Sequence, residues 1–292
     1  MIIFDGYQTA SQIEAELKSK VQNLVKQGKK LKIASILFQE DQGSKLYTQL
    51  KKDAASRVGI NYQVSNFAMA ADLDLVMQQI QKENEDPTVT GIIIQKPWTS
   101  SWVQITGRDR SEFENWWQLL TDQIDQKKDV DGLKSTTLAS IKDNSWQQKG
   151  YVLPATAAAV VTILNKNQID LTNKKVILVG KSNLLGVPLF YYLKNQQIDT
   201  QLLGSVDLKK RLDSGLALKD ADLLISSTGQ NNLITGDMLK PGVVAVDVGE
   251  PKGDFDFPTV SQVASFITPV PGGVGPMTVV SLLENAISLT NN

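Results

Sequence analysis

The strongest constraint on the fold is an alternation that runs along nearly the whole chain. Short apolar segments alternate with stretches of helical periodicity. Ile13, Leu17, Val21, Leu24 and Val25 recur at helical spacing, and Ser11-x-x-Glu14 predicts a capping box at the start of that helix. Leu31–Phe38 then reads as a strand, Ser44–Val58 as a helix closed by Gly59, and Asn61–Phe67 as a strand. Leu73–Glu83 reads as a helix and Val89–Gln95 as a buried strand. Parallel strands need a crossover between them and a helix supplies it, so this order predicts an α/β fold with a parallel sheet. The pattern restarts after residue 150. A helix over Ala157–Leu164 leads to a strand at Lys175–Gly180, a glycine-bearing turn and a helix at Leu185–Lys194. Strands follow at Thr200–Leu203, Leu223–Ser227 and Val243–Val248, and Met277–Leu289 reads as a last helix. With 292 residues the chain has room for two domains, the second a doubly wound, nucleotide-binding type.

Between the two blocks, from Lys96 to Asp129, the alternation fades. Four of the five tryptophans fall here: Trp98, Trp102, Trp116 and Trp117, with a short helix predicted over Ser111–Leu120. The plain reading is a surface insertion whose aromatics pack locally or at an interface. The functional reading is a lid over a flat aromatic ligand.

Two residue types are missing altogether. Without cysteine there is no disulfide, thiolate nucleophile, zinc–thiolate site or iron–sulfur cluster. Without histidine there is no Ser-His-Asp triad, imidazole base or histidine-bound metal, and no metal is expected. Acid–base chemistry near neutral pH falls to Lys, Tyr, Asp or Glu. The 30 basic and 31 acidic residues give a net charge of −1, which offers no field for nucleic acid. Met1–Phe4 is followed at once by Asp5, unlike a signal peptide, and the apolar run Ile267–Leu283 contains Pro269, Pro271 and Pro276. A cytoplasmic protein without a membrane segment is therefore expected.

Five segments offer chemistry. Tyr47 and Lys51 lie four apart on one helix face, where a phenol and an ammonium can share a proton; the spacing alone also fits a chance surface pair. Gln95 ends a buried strand, the position where parallel sheets bind ligands, as either a satisfied strand end or a ligand contact. In Lys128-Asp129-Val130-Asp131-Gly132 the two carboxylates form either an acidic turn or an acceptor for a nitrogen-rich heterocycle. Gly180-Lys181-Ser182-x-x-x-Gly186 follows a strand and opens a helix, a phosphate-binding placement. It lacks the middle glycine of the usual dinucleotide fingerprint, while Lys181 and Ser182 suit an additional 2′-phosphate. Thr268–Thr278 packs three prolines and three glycines into eleven positions, a stiff shaped loop that reads as ligand-binding rather than as a connector.

Taken in order, these segments resemble the bifunctional methylenetetrahydrofolate dehydrogenase/methenyltetrahydrofolate cyclohydrolase family across nearly the whole chain. The resemblance rests on Ser44-Lys-Leu-Tyr47-x-x-x-Lys51, Gly91-Ile-Ile-Ile-Gln95-x-Pro97, Lys128–Gly132, Gly180-Lys-Ser182-x-x-x-Gly186-x-Pro188, Thr228-Gly229 and Thr268–Thr278. It implies oxidation of methylenetetrahydrofolate to the methenyl form with hydride passed to NADP, NAD remaining possible, and hydrolysis of the methenyl form to 10-formyltetrahydrofolate. It implies two domains with a cleft between them, the second Rossmann-like, with residues 1–149 holding the folate and 150–276 the dinucleotide. The helix 277–292 is expected to return to the first domain, and the protein to form a homodimer.

By the same resemblance Lys51 handles the proton of the hydrolysis, Tyr47 stacks near the folate and positions Lys51, Gln95 hydrogen-bonds that lysine, and Asp131 faces the pterin. Ser44 and the loop Pro271, Gly272 and Gly273 complete the folate side. Gly180, Lys181, Ser182 and Ser205 fall on the phosphate side of the cofactor, and Thr156, Thr228 and Gly229 near its nicotinamide half. The family's Gly-Ile-Asn reads Gly249-Glu250-Pro251 here, so a cofactor contact at Glu250 is expected only through backbone atoms. The chain reads Gln95-Lys96-Pro97 where the family has Gln-Leu-Pro, Lys181 where it has arginine, and Gly204 where it has histidine.

Overall fold

Helix formation begins earlier than the sequence pattern indicates. In the structure, a computed structural model that describes residues 1–290, strand β1 (Ile2–Ile3) is followed at once by helix α1 (Gly6–Lys26). Asp5 caps that helix: its Oδ1 accepts from Gln8 N at 2.8 Å. Ser11 therefore lies inside α1, and the capping box expected at Ser11-x-x-Glu14 does not form. The Glu14 carboxylate instead accepts from Arg57 Nε and Nη2, both at 2.6 Å.

The chain divides into two compact units. One comprises residues 12–140, 145–153 and the chain from Leu282. Its centre is a three-stranded parallel sheet in the order β3 (Asn61–Phe67), β2 (Lys32–Phe38), β4 (Gly91–Ile94). Ile33 pairs with both Tyr62 and Gly91, which sets the register. Helix α2 (Gln42–Val58) packs on β2 and β3, and α3 (Leu73–Glu85) on β4. Helix α2 starts at a buried Asp41 cap, whose Oδ2 accepts from Ser44 N at 2.8 Å. It ends at Gly59 in the left-handed conformation, φ 88°, as the sequence predicts.

The tryptophan segment is not a surface insertion. It folds into α4 (Thr99–Thr106) and α5 (Phe113–Thr121), followed by α6 (Ser135–Lys142). Trp102, Phe113, Trp116, Trp117 and Leu120 are buried in one core with Ala34, Ile36 and Phe38 of β2, Ile92 and Ile94 of β4 and Val76 and Ile80 of α3. Residues 34, 36 and 38 share one sheet face because side chains alternate along a strand. The rings contact each other at 5.1 Å (Phe38–Trp116) and 5.5 Å (Trp102–Phe113 and Trp102–Trp116) between centroids. Trp98 alone of the four stays exposed.

The second unit comprises residues 1–11, 141–144 and 154–281. Its sheet is six-stranded and parallel throughout. Strands β5 (Lys175–Val179), β6 (Asp199–Leu203), β7 (Leu223–Ser226), β8 (Val244–Asp247) and β9 (Phe266–Ile267) join β1 in the order β1-β9-β8-β7-β5-β6. Helices α7 (Ala155–Lys166), α8 (Gly186–Asn195), α9 (Ser205–Asp213) and α10 (Phe257–Val263) accompany it. The chain reverses its direction of strand addition at β5, between β6 and β7. Such a switch point is where open α/β sheets bind ligands, beyond the carboxyl ends of the strands.

The two units differ from the expected division at residues 149 and 150 in one main respect. Residues 1–11 group with the six-stranded sheet, because Ile2 and Ile3 pair with Phe266 and Ile267. Helix α11 (Val274–Leu289) starts in this unit, and its residues from Leu282 group with the first. The last two residues of the helix expected over 277–292 lie outside the described residues. Among the described residues no helix is long and apolar enough to cross a membrane.

Candidate active site

Helix α2, the end of β4 and the Lys128–Gly132 turn bring three sequence-distant polar residues together in the first unit. Lys51 is buried on α2 and its Nζ donates to Gln95 Oε1 at 2.9 Å. Asp131 Oδ2 lies 4.0 Å from the same Nζ. Burying an ammonium is costly unless it is paired and hydrogen-bonded, and here it is both. Tyr47, half-buried, lies one turn before Lys51 on the same helix. Ser44, at the first turn of α2, donates through Oγ to the Lys96 carbonyl at 3.3 Å and so ties α2 to the segment after Gln95.

The turn carrying Asp131 is pinned from both sides. Asp129 is fully buried and accepts from Leu133 N, Lys134 N and Thr137 Oγ1, each at 3.1 Å; burial pushes its carboxyl up to about 6. Asn285 of α11 donates to the Val130 carbonyl at 3.0 Å and to the Leu153 carbonyl at 2.9 Å, which fixes the backbone directly before Asp131. Tyr62 is buried near Asp131, and desolvation raises its phenol far above the usual range. It is therefore neutral at any working pH. Lys96 does not add a free cation here: its Nζ bonds both Glu114 oxygens, at 2.9 and 3.0 Å, over the rings of Phe113 and Trp117. Trp98 lies against Gly43, beside Ser44.

In the second unit the turn after β5 has the shape that phosphate binding needs. Gly180 has φ 115°, and a Cβ there would come within 2.6 Å of the Ser227 carbonyl; one on Gly186 would come within 1.8 Å of the Gly180 carbonyl. Only glycine permits this close return of the chain. At the start of α8 Val187 N donates back to the Ser182 carbonyl at 3.0 Å, which closes the turn onto the helix. Lys181 is exposed and Ser182 half-buried at this turn, and Ser205 opens α9 across from it. Thr156 stands in the first turn of α7, half-buried.

The loops after β7 and β8 hang on two buried aspartates that sequence reasoning missed. Asp254 accepts from Ser226 Oγ and Thr228 N, both at 2.6 Å, and from Gln230 N at 3.1 Å. Asp247 accepts from Gly249 N, Asp254 N and Phe255 N at 2.9 to 3.0 Å. Burial pushes Asp247 up to about 6. The pair fixes Thr228-Gly229 and the backbone leading to exposed Glu250. Asp247 carries a local signal, a polar residue ending an apolar strand, whereas Asp254 in the loop beyond it carries none. The proline–glycine loop is braced by the chain's start: Gly6 N donates to the Gly272 carbonyl at 2.8 Å, and a Cβ on Gly6 would lie 2.0 Å from the Gly273 carbonyl.

Two parallel-sheet units, one with a phosphate-type turn at its switch point and one with a buried lysine held by an amide and a carboxylate, define a dinucleotide-dependent α/β enzyme. Comparison with known proteins places it further. Residues 4–131 match the catalytic domain of the tetrahydrofolate dehydrogenase/cyclohydrolase family, and residues 154–292 match its NAD(P)-binding domain. The chain belongs to this family. It is 35% identical to the bifunctional protein FolD of Lactobacillus acidophilus, over 99% of this chain and 96% of that one. Its fold matches the bifunctional FolD methylenetetrahydrofolate dehydrogenase/cyclohydrolase of Campylobacter jejuni with a TM-score of 0.84 at 32% identity, covering 99% and 98% of the two chains. It also matches the Trypanosoma brucei enzyme complexed with NADP and an inhibitor, at a TM-score of 0.87 and 24% identity, a likeness of fold.

Proposed function

We propose that this chain oxidises methylenetetrahydrofolate to the methenyl form with a nicotinamide dinucleotide, NADP in the first instance, and hydrolyses the product to 10-formyltetrahydrofolate. The observation that carries this reading is the Lys51–Gln95–Asp131 constellation, a buried ammonium with both an amide and a carboxylate partner in a chain that has no histidine.

In the hydrolysis, water adds to the methenyl carbon, a proton leaves, and one carbon–nitrogen bond of the bridge opens. Lys51 is the group that takes and returns protons. The Gln95 carbonyl oxygen aims its Nζ. Asp131 accepts from the N–H donors of the pterin and supplies countercharge to Lys51. Tyr47 offers a flat ring beside them, and Ser44 keeps the first turn of α2 against the strand end. On the cofactor side the turn of Gly180, Lys181 and Ser182, with Ser205, is assigned to the phosphates. Thr156, Thr228, Gly229 and the backbone at Glu250 would hold the nicotinamide half. Bound dinucleotide supplies a hydride acceptor. Hydride transfer depends on positioning more than on an acid or base, which agrees with the absence of a histidine. Pro271, Gly272 and Gly273 are assigned to the aminobenzoate side of the folate.

Replacing Lys51 with Met tests the assignment. Hydrolysis of added methenyltetrahydrofolate should fall at least about 100-fold. Undiminished hydrolysis would remove Lys51 from the mechanism. A cytoplasmic homodimer completes the proposal, and light scattering at twice 32.0 kDa would support that assembly.

A further inference from the structure

Three features of the second unit meet at the end of the phosphate turn. Lys181 does not extend freely into solvent: its Nζ donates to Asp207 Oδ2 at 2.6 Å. The same oxygen accepts from Gly204 N at 2.9 Å, so Asp207 is fixed in the first turn of α9 by a second bond. The lysine stem crosses Gly204 closely, and a Cβ there would lie 3.1 Å from Lys181 Cδ. The missing side chain at Gly204 is what opens this path. Both partners are about half exposed, 52% and 43%, so solutes reach the pair. The lysine and the Gly204 amide hold the Asp207 carboxyl below its usual range, and it stays ionised at working pH.

This pair lies just past the ends of β5 and β6, on the side of the turn that receives the adenosine ribose in a doubly wound sheet. An aspartate in this region accepts from the ribose 2′-hydroxyl, whereas a 2′-phosphate is held by a cation and is disfavoured by a carboxylate beside it. We propose that Asp207 sets the cofactor preference of this chain by competing with the 2′-phosphate for Lys181, so that NAD is used alongside NADP. The inference rests on the dehydrogenase reading above. Lys181 acts as the cation for NADP only after it exchanges its carboxylate partner for phosphate, and Asp207 then stands as a like charge beside the phosphate.

The test uses Asp207→Asn, which keeps an acceptor for the Gly204 amide, and Asp207→Glu, which keeps the charge. Two readouts are needed: calorimetric titration with adenosine 2′,5′-bisphosphate and with 5′-AMP, and kcat/KM for NADP and NAD. Asp207→Asn should raise affinity for the bisphosphate relative to AMP about 10-fold and move the NADP/NAD ratio of kcat/KM by a similar factor, mainly through the KM for NADP. Asp207→Glu should leave both ratios within about threefold of the parent. Unchanged ratios in Asp207→Asn, with the fold intact by circular dichroism, would overturn the proposal. If neither dinucleotide is reduced by any variant, the dehydrogenase reading fails, and the calorimetric ratio alone still decides the role of Asp207.

Discussion

Replacing Gln95 with alanine isolates the contact that aims Lys51. The 2.9 Å bond from Lys51 Nζ to Gln95 Oε1 is charge-assisted, and hydrogen bonds to charged groups contribute about 1.5–3 kcal/mol. Without it the buried ammonium keeps the Asp131 carboxylate at 4.0 Å. At an effective dielectric constant near 20, that attraction is about 4 kcal/mol, enough to draw Nζ toward Asp131. The lysine then remains buried and paired but is aimed wrongly. At about 1.4 kcal/mol per tenfold in rate, hydrolysis of methenyltetrahydrofolate should slow by about 10- to 100-fold, mostly in kcat. The assay is the loss of methenyl absorbance in the parent, Gln95→Ala, Lys51→Met and the double variant. Since Gln95 acts through Lys51, its replacement in the Lys51→Met background should cost less than about twofold. A full additional loss in the double variant would show that Gln95 works independently and would refute the reasoning.

Other predictions follow from the same structure. Trp116→Ala should destabilise the protein by about 3–5 kcal/mol in urea unfolding, whereas Trp98→Ala, at an exposed site, should cost less than about 1 kcal/mol; similar losses at both positions would contradict the core described here. Asp129 and Asp247 have carboxyls raised to about 6, so the folded state binds more protons than the unfolded state between about pH 4 and 6. Their contribution to stability is present at low pH and is lost as pH rises through 6, and together they should make the protein about 1.5 kcal/mol more stable at pH 5.5 than at pH 7.5. Denaturant midpoints at the two pH values check the sign, and Asp129→Asn should remove about half of the difference. Gly6→Val should disturb the proline–glycine loop, because its Cβ would strike the Gly273 carbonyl, and should raise the KM for folate without a matching loss of dinucleotide affinity measured by calorimetry.

Much of the fold was readable because its strands obey simple local patterns. Asn61–Phe67 was read to the residue, and the ends of α2 follow from Gly59 and the polar turn before it. In the tryptophan segment the helix expected over Ser111–Leu120 forms as α5, but its place as a surface insertion does not hold: Phe113, Trp116, Trp117 and Leu120 share one helix face, and that face is buried on the sheet. Strand β1 has two residues and pairs with a strand at the far end of the chain, so no local signal could place residues 1–11 with the second sheet. The candidate site was readable only as separate motifs. Lys51, Gln95 and Asp131 span most of the first unit, and the distances that join them come from the parallel register of β2 and β4. Asp207 was missed because an acidic residue in the first turn of a helix is ordinary; its meaning depends on Lys181, on a different loop.

The measurement that tests the central claim most directly follows purified protein supplied with methylenetetrahydrofolate and either NADP or NAD. Reduced nicotinamide, methenyltetrahydrofolate and 10-formyltetrahydrofolate are recorded separately. The account predicts nicotinamide reduction with 10-formyltetrahydrofolate as the end product, and conversion of directly added methenyltetrahydrofolate without any cofactor. Hydrolysis without reduction by either dinucleotide would contradict the dehydrogenase half, and binding of folate with neither reaction would contradict the account as a whole.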